Sequence, residues 1–398
     1  MTIDSSVLPP PPQPGLIARL KAAGPSSLGI QITVLLALFG FAAFIVSNVI
    51  GNVARLNINV GFAFLSRPAG FEIAQSLIDY PQNATYFRAF LAAFLNTTLM
   101  AAVSIVFATV LGFFVSMARL WTNPLLSLLA QFYVEMVRNV PLLLQLFFWY
   151  FAVLGHLPAP RQSLHLADMF YLNNRGLFFP SPVAGEGFPV FGILTITLIV
   201  AAIILFVSAH RFRVRTGHAS RGRWTAGVVC LLAVLIAAVL LDPVTWSIPE
   251  LKGFNLGGGM SVIPEFVALA VGMSVYGSAF VAELIRGGVE TVGRGQTEAG
   301  QALGLSRWRI YSKIVVPQAL RAIIPPLTGQ YITLLKNSSL ASAIGYPDLM
   351  LIFAGTALNQ TGQPLEIMGI TMASYLTLCL IVATLGNIIN RRMQLVER

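Results

Sequence analysis

Residues 298–317 read EAGQALGLSRWRIYSKIVVP, a polar and basic stretch set between two long apolar runs. Such a stretch is either a solvated connector or a docking surface for a soluble partner. On both readings the chain around it has to be membrane, and composition agrees. Of 398 residues, 56% are hydrophobic and 10% charged, where a soluble domain needs about a quarter charged to cover its surface. The apolar runs are too long and continuous for the alternating strands of a barrel. A helical span takes about 20 residues, so the length predicts an all-α, polytopic helical membrane protein.

The balance of 25 Lys+Arg against 15 Asp+Glu gives a net charge of +10. In a soluble protein that excess would raise nucleic-acid binding. Here the cations gather in short loops, as the positive-inside bias requires, so the partner is membrane lipid and no nucleic acid is expected. Cys230 and Cys379 both lie inside apolar runs, which argues against a disulfide framework or a metal site.

In chain order, residues 1–29 form a Pro-rich lead expected on the cytoplasmic side, and the apolar run 30–50 is a retained first span. Further spans are predicted over 89–117, 132–155, 189–209, 225–241, 264–285, 322–344 and 366–389, eight in all. With the N-terminus inside, the loops at 118–126, 210–224 and 286–321 and the C-terminal tail face the cytoplasm. They carry Arg119, the five arginines of HRFRVRTGHASRGR, six Lys/Arg between Arg286 and Arg321, and Arg391, Arg392 and Arg398. The opposite loop at 243–263 has one cation and 345–365 has none. Charge and parity therefore agree on both termini inside.

Catalytic constellations are missing from the sequence. There is no GxxxxGK[ST], no HExxH and no GxSxG, and the histidines His156, His165, His210 and His218 all fall in loops. No enzyme activity, cofactor or metal is expected. Uphill movement of a solute then needs energy from a partner or an ion gradient.

Within 298–317, the small residues Ala299, Gly300, Ala302 and Gly304 allow close approach, and Leu303 and Leu305 offer a small apolar contact. Ser306 suits an N-cap. In the helix after it, Ile310, Tyr311, Ile314 and Val315 share a face and Arg309 and Lys313 another, before Pro317 interrupts it. On these features alone, docking surface and connector are evenly matched.

The spacing E-A-A, three residues, G, nine residues, I, any residue, L-P resembles the cytoplasmic loop of bacterial ABC-importer permeases. Glu298, Ala299, Gly300, Gly304, Ile314, Val316 and Pro317 fall on it, with Gly300 replacing the second alanine and Val316 the leucine. AFVAELIRGGVETVGRGQ, PQALRAIIPPLTGQYITLLKNSSLASAIG, LNTTL at 95–99 and YVEMVRNVPLLLQLFFWYF at 133–151 resemble the polar amino-acid (histidine, glutamine, arginine) branch. The permease core then covers 89–155 and 264–398, with the coupling loop at 286–321. The extra first span and an inserted block at 156–263 with two further spans resemble the long permease of general L-amino acid (Aap/Bzt-type) systems. The block begins and ends outside, so an even number of inserted spans keeps the core oriented.

That resemblance implies the transmembrane subunit of an ATP-driven amino-acid importer in the bacterial inner membrane. Its implied partners are an ATP-binding subunit in two copies, a second permease and a periplasmic amino-acid-binding protein. It also implies that Glu298, Ala299, Gly300, Leu303, Gly304 and Pro317 couple to the ATPase. A stand-alone secondary transporter is the alternative, against which stands the lack of a recognisable inverted repeat. A membrane scaffold is a third reading.

Charged groups at bilayer depth cost several kcal/mol unless paired or hydrated. Lys336, Asn337, Ser338 and Glu283 are accordingly the substrate-pathway candidates. Lys336 either meets a substrate carboxylate or forms a structural ion pair with Glu283 or Glu135. Glu135 and Arg138 are one turn apart and suited to pair locally, and Asn96 is expected to hydrogen-bond between helices.

Overall fold

The computed structural model describes residues 25–55, 60–218 and 220–393. Most of the expected lead, 1–29, and the tail beyond Met393 with Arg398 lie outside the described residues. The first apolar run forms α1 (Pro25–Arg55), and none of its apolar window is buried. It belongs to a unit whose other described residues are 60–62 and 361–366, inside which the Gly61 amide donates to Glu366 Oε1 at 2.5 Å.

The remainder forms a second unit. Its first section holds α2 (Tyr86–Arg119), α3 (Pro124–Asn139) and α4 (Leu142–Phe147), the last continuing as a π turn, Phe148–Val153. Then come β1 (Leu164–Leu166), β2 (Phe170–Asn173), β3 (Gly176–Phe179) and β4 (Ser181–Ala184), followed by α5 (Phe188–Thr216) and α6 (Arg221–Leu240). Four more strands complete the block: β5 (Val244–Ser247), β6 (Glu250–Lys252), β7 (Asn255–Gly257) and β8 (Met260–Val262). The closing section has α7 (Pro264–Glu290), α8 (Arg294–Ala302), α9 (Arg307–Ile310), α10 (Val316–Asn337), α11 (Leu358–Thr361) and α12 (Pro364–Met393).

The core is built on α2 against α7, with α10 packed on α7 as well. Lipid tails are as apolar as leucine, so helices associate there through close packing rather than through expulsion of water. The sequence supplies the means at Gly112 and Gly277. A Cβ on Gly112 would stand 2.7 Å from Val281 Cβ, and one on Gly277 would stand 2.8 Å from Ala108 Cβ. Met100, Leu146, Leu269, Met273 and Leu334 fill the space around this contact and are buried.

Among the described residues, six helices are long and apolar enough to cross a membrane, or seven if one bent pair counts as a span. The seventh expected span, 322–344, falls on α10 and the 3₁₀ turn Ser338–Ile344. It lacks a sufficiently apolar window, because α10 carries Gln318, Arg321, Pro325, Pro326, Gln330 and Lys336. The expected single span at 132–155 is the bent pair: α3 and the segment Leu142–His156 meet at 104°. Val140 is extended (φ −97°, ψ 127°), the conformation a following proline imposes. The break frees backbone carbonyls, and the Gln145 side-chain amide donates to two of them, Val137 O and Val140 O, each at 2.9 Å.

The block at 156–263 holds the strands, which the all-helical reading did not anticipate. β1, β2, β3 and β8 form one antiparallel sheet, with Leu177 opposite Val262 and Phe179 opposite Met260. β4 pairs with β5, Ala184 facing Val244, and β6 with β7. The chain entering the α5–α6 hairpin is thus zipped to the chain leaving it, and both ends of the hairpin lie at the same place. α5 and α6 pack chiefly on each other.

Candidate functional site

The polar stretch between α7 and α10 folds as two short helices. α8 ends in a complete Schellman motif: the Gly304 amide donates to Gln301 O at 2.9 Å and the Leu305 amide to Gly300 O at 3.1 Å. Gly304 takes φ +71° with nothing within 4 Å of a would-be Cβ. The left-handed backbone, and not lack of space, is therefore why glycine stands there; an L-side chain would cost about 1–2 kcal/mol. Gly300 is glycine for the opposite reason. A Cβ on it would stand 2.9 Å from Ile310 Cγ1, so its bare backbone is where α8 rests on the next helix.

Ser306 occupies the N-cap of α9 but its side chain makes no cap bond. Pro317 does not interrupt the helix. α9 runs through a π turn, Tyr311–Val315, into α10, with Pro317 in the first turn of α10. Proline has no N–H to give the carbonyl four residues back, and the wider turn absorbs that missing bond. The extra residue re-registers the buried face. Ile310 and Val315 are buried and Ile314 is half-buried, while Tyr311, expected beside them, is exposed. On the outer side, Glu298 and Ala299 are exposed, Leu303 is 78% exposed and Trp308 80%. Trp308 was absent from the expected contact set. An indole in a basic loop outside the spans was the available signal.

The pathway candidates do not form one cluster. Glu283, on α7, accepts from Arg119 at the end of α2 and from Arg286 Nη2 at 2.6 Å, and Arg286 also holds Glu290. Glu283 thereby ties α2 to the approach of the 286–321 loop and is not paired with Lys336. Lys336 is exposed near the end of α10 and takes part in none of the salt bridges among the described residues. Asn337 is half-buried, whereas Ser338 is buried and its hydroxyl donates to Leu335 O at 2.7 Å. Glu135 and Arg138 do not pair with each other. Glu135 accepts from Gln131 at 2.7 Å, and the Arg138 guanidinium sits 5.1 Å from the Phe280 ring centre.

Asn96 and its neighbour bind loops more than helices. Asn96 Nδ2 donates to Gln75 O at 2.7 Å and Pro347 O at 2.9 Å, and the Leu349 amide donates to Thr97 Oγ1 at 2.9 Å. These bonds draw the loop after α10 inward. Asp348, in the expected outer loop 345–365, is fully buried, its Oδ1 accepting from the Leu351 amide at 2.8 Å. Burial pushes its carboxyl up to about 7, against partial relief from the backbone N–H groups of Leu351 and Met350.

Residues 219–395 match the family described as the binding-protein-dependent transport system inner membrane component. Across nearly the whole chain, 370 residues are 48% identical to the putative amino-acid ABC transporter permease protein YhdX of Escherichia coli (strain K12), covering 92% of this chain and 94% of that one. The chain belongs to the amino-acid ABC transporter permeases. The permease is also 45% identical over 373 residues to the general L-amino acid transport system permease protein AapQ of Rhizobium johnstonii, with 94% of this chain and 93% of that one covered. The glutamate/glutamine/aspartate/asparagine transport system permease protein BztB of Rhodobacter capsulatus is 33% identical over 402 residues, covering 94% of each. All three alignments run through the inserted block, so this is a long permease of the Aap/Bzt type, an inner-membrane protein with several membrane-crossing helices.

Proposed function

We propose that this permease forms one half of an amino-acid pathway and takes up the force of ATP hydrolysis through α8 and the turn after it. The observation that carries the reading is the build of that element. It is a short polar helix closed by a Schellman turn on Gly304 and braced on α9 through Gly300; helix and turn present Glu298, Ala299 and Leu303 outward, and α9 adds Trp308 beside them in sequence. A mere connector has no need of a rigid knob with two large apolar side chains in water.

In this reading a cytoplasmic ATP-binding subunit, two copies per complex, receives α8. A second permease completes the pathway, a binding protein delivers the amino acid from the other side, and both chain ends face the cytoplasm. Glu298 makes the polar contact with the ATPase and Gly304 fixes the turn. Pro317 anchors the second helix to α10. Lys336, exposed and in no salt bridge among the described residues, faces the pathway with Asn337, where a substrate carboxylate passes. Ser338 supports them from behind, and Glu283 holds the α2–α7 end that transmits the movement.

The test is co-purification followed by coupling. The wild-type chain is expected to bring down an ATPase and a second permease, with uptake dependent on ATP. Gly304→Asp, measured in the purified complex, is expected to retain assembly and lose substrate-stimulated ATP hydrolysis. Full stimulation in that variant would remove Gly304 from the coupling role.

A further inference from the structure

The α5–α6 hairpin is the part of the permease that the transport reading leaves unused. Only 6% of the apolar window of α5 and 11% of that of α6 is buried, so this chain's own residues leave most of both helices uncovered. At the turn between them the sequence runs HRFRVRTGHASRGRW, with Arg211, Arg213, Arg215, Arg221 and Arg223 inside thirteen residues. No Asp or Glu occurs between Glu186 and Asp242. Positive-inside bias alone asks for a few cations here. It does not ask that the two helices be clamped there.

The two helices are clamped to each other near that end. Trp224 packs against Phe206 with ring centres 4.9 Å apart and planes tilted by 51°, across the two helices. The Arg223 guanidinium lies 4.9 Å from the Phe212 ring centre and donates to Ser208 O at 3.2 Å. One arginine is thus committed to clamping α6 onto α5. The other four are exposed and enter no salt bridge among the described residues. Trp224 is half-exposed at the start of the apolar run, where aromatic side chains favour the membrane–water interface. Arg211 and Arg215 share a helix face one turn apart, Arg213 lies on the opposite face of the same helix, and Arg221 opens α6. The anion present in bulk at that depth is the lipid phosphate, whose oxygens match the guanidinium fork.

We propose that the tip of the α5–α6 hairpin binds anionic phospholipid headgroups, drawn by Arg211, Arg213, Arg215 and Arg221 around the end of the hairpin, where the Trp224–Phe206 and Arg223–Phe212 contacts hold the two helices together. A nucleic acid or acidic protein is disfavoured because the four cations sit against the apolar spans and not on a projecting domain.

The test counts lipids retained by the purified full-length chain after exchange into mixtures of phosphatidylglycerol and phosphatidylethanolamine, by native mass spectrometry. Wild type is expected to retain phosphatidylglycerol preferentially. A surface cation near a charged bilayer contributes about fivefold in binding, so replacing all four arginines by Gln should abolish the preference, and replacing them by Lys should keep most of it. Excess inorganic phosphate should not displace the lipid. Equal retention of the two lipids by wild type, an unaltered preference in the Gln variant, or full displacement by inorganic phosphate would each overturn the proposal. Should the Gln variant fail to insert, the wild-type ratio and the phosphate competition decide on their own.

Discussion

Lys336 and Asp348 lie twelve residues apart in sequence and show how differently one charge can be housed. Lys336 is exposed near the end of α10. If it meets substrate, Lys336→Met removes a charge-assisted hydrogen bond of about 1.5–3 kcal/mol, so apparent affinity in an uptake assay should fall roughly tenfold or more with assembly intact. Unchanged affinity with poor assembly would instead make it a structural contact to another subunit. Asp348 is sealed in, and its raised carboxyl has a consequence with a definite sign. Below its ordinary value of 3.8 the group is protonated whether the chain is folded or not; between there and about 7 only the folded chain keeps the proton. Its contribution is therefore fully present at low pH and lost as pH rises through that window. Asp348→Asn keeps an acceptor for the Leu351 amide without the charge. Its thermal midpoint in detergent should lose the downward slope that wild type shows over the same window. Parallel slopes would show that the carboxyl is already hydrated. Neither environment was legible in the sequence, where both appear as single charges among apolar residues and only folding decides which one Asn96 and Thr97 draw inward.

Among the elements, the segment 298–317 was the most readable, because its glycines and apolar positions are spaced by local geometry. What the spacing did not reveal is the π turn at Tyr311–Val315, since helical periodicity assumes a regular ladder and Pro317 removes one rung. The turn makes a prediction of its own. Pro317→Ala restores an N–H able to bond the Lys313 carbonyl, so the turn should tighten to an α-turn and rotate α9 by one residue, about 100°. Ile310, now 1% exposed, would leave its seat against Gly300. Transport per ATP hydrolysed should fall while the complex still assembles; an unaltered ratio would show that α9 does not carry force. The long apolar helices were legible from composition, with ends that differ by a few residues. The break at Val140 was not, although Pro141 signals it, because apolar residues continue on both sides. The strands were missed for a simpler reason: at three or four residues each, they are too short for alternation to register.

For the second unit as a whole, the most informative feature is how the inserted block closes. Ala184 and Val244 are cross-strand partners. Excising residues 185–243 and joining these two by an Asn-Gly turn should therefore leave a two-residue hairpin, with two membrane helices removed and every later helix keeping its orientation. The shortened chain is expected to insert and to assemble with its partners, and to expose a cysteine placed at Ala299 to the same side as the full chain. Labelling from the opposite side would mean that the block sets topology. The parity of the insert was readable from charge; the zipper of β3 on β8 and β4 on β5, which makes the excision possible, was not. That zipper also has a mechanical meaning. A segment that leaves and rejoins a moving body at one point has no second anchorage, so relative motion within the body does no work on it. The hairpin can follow the permease through each transport cycle as a tethered float, neither bent by the stroke nor loading it.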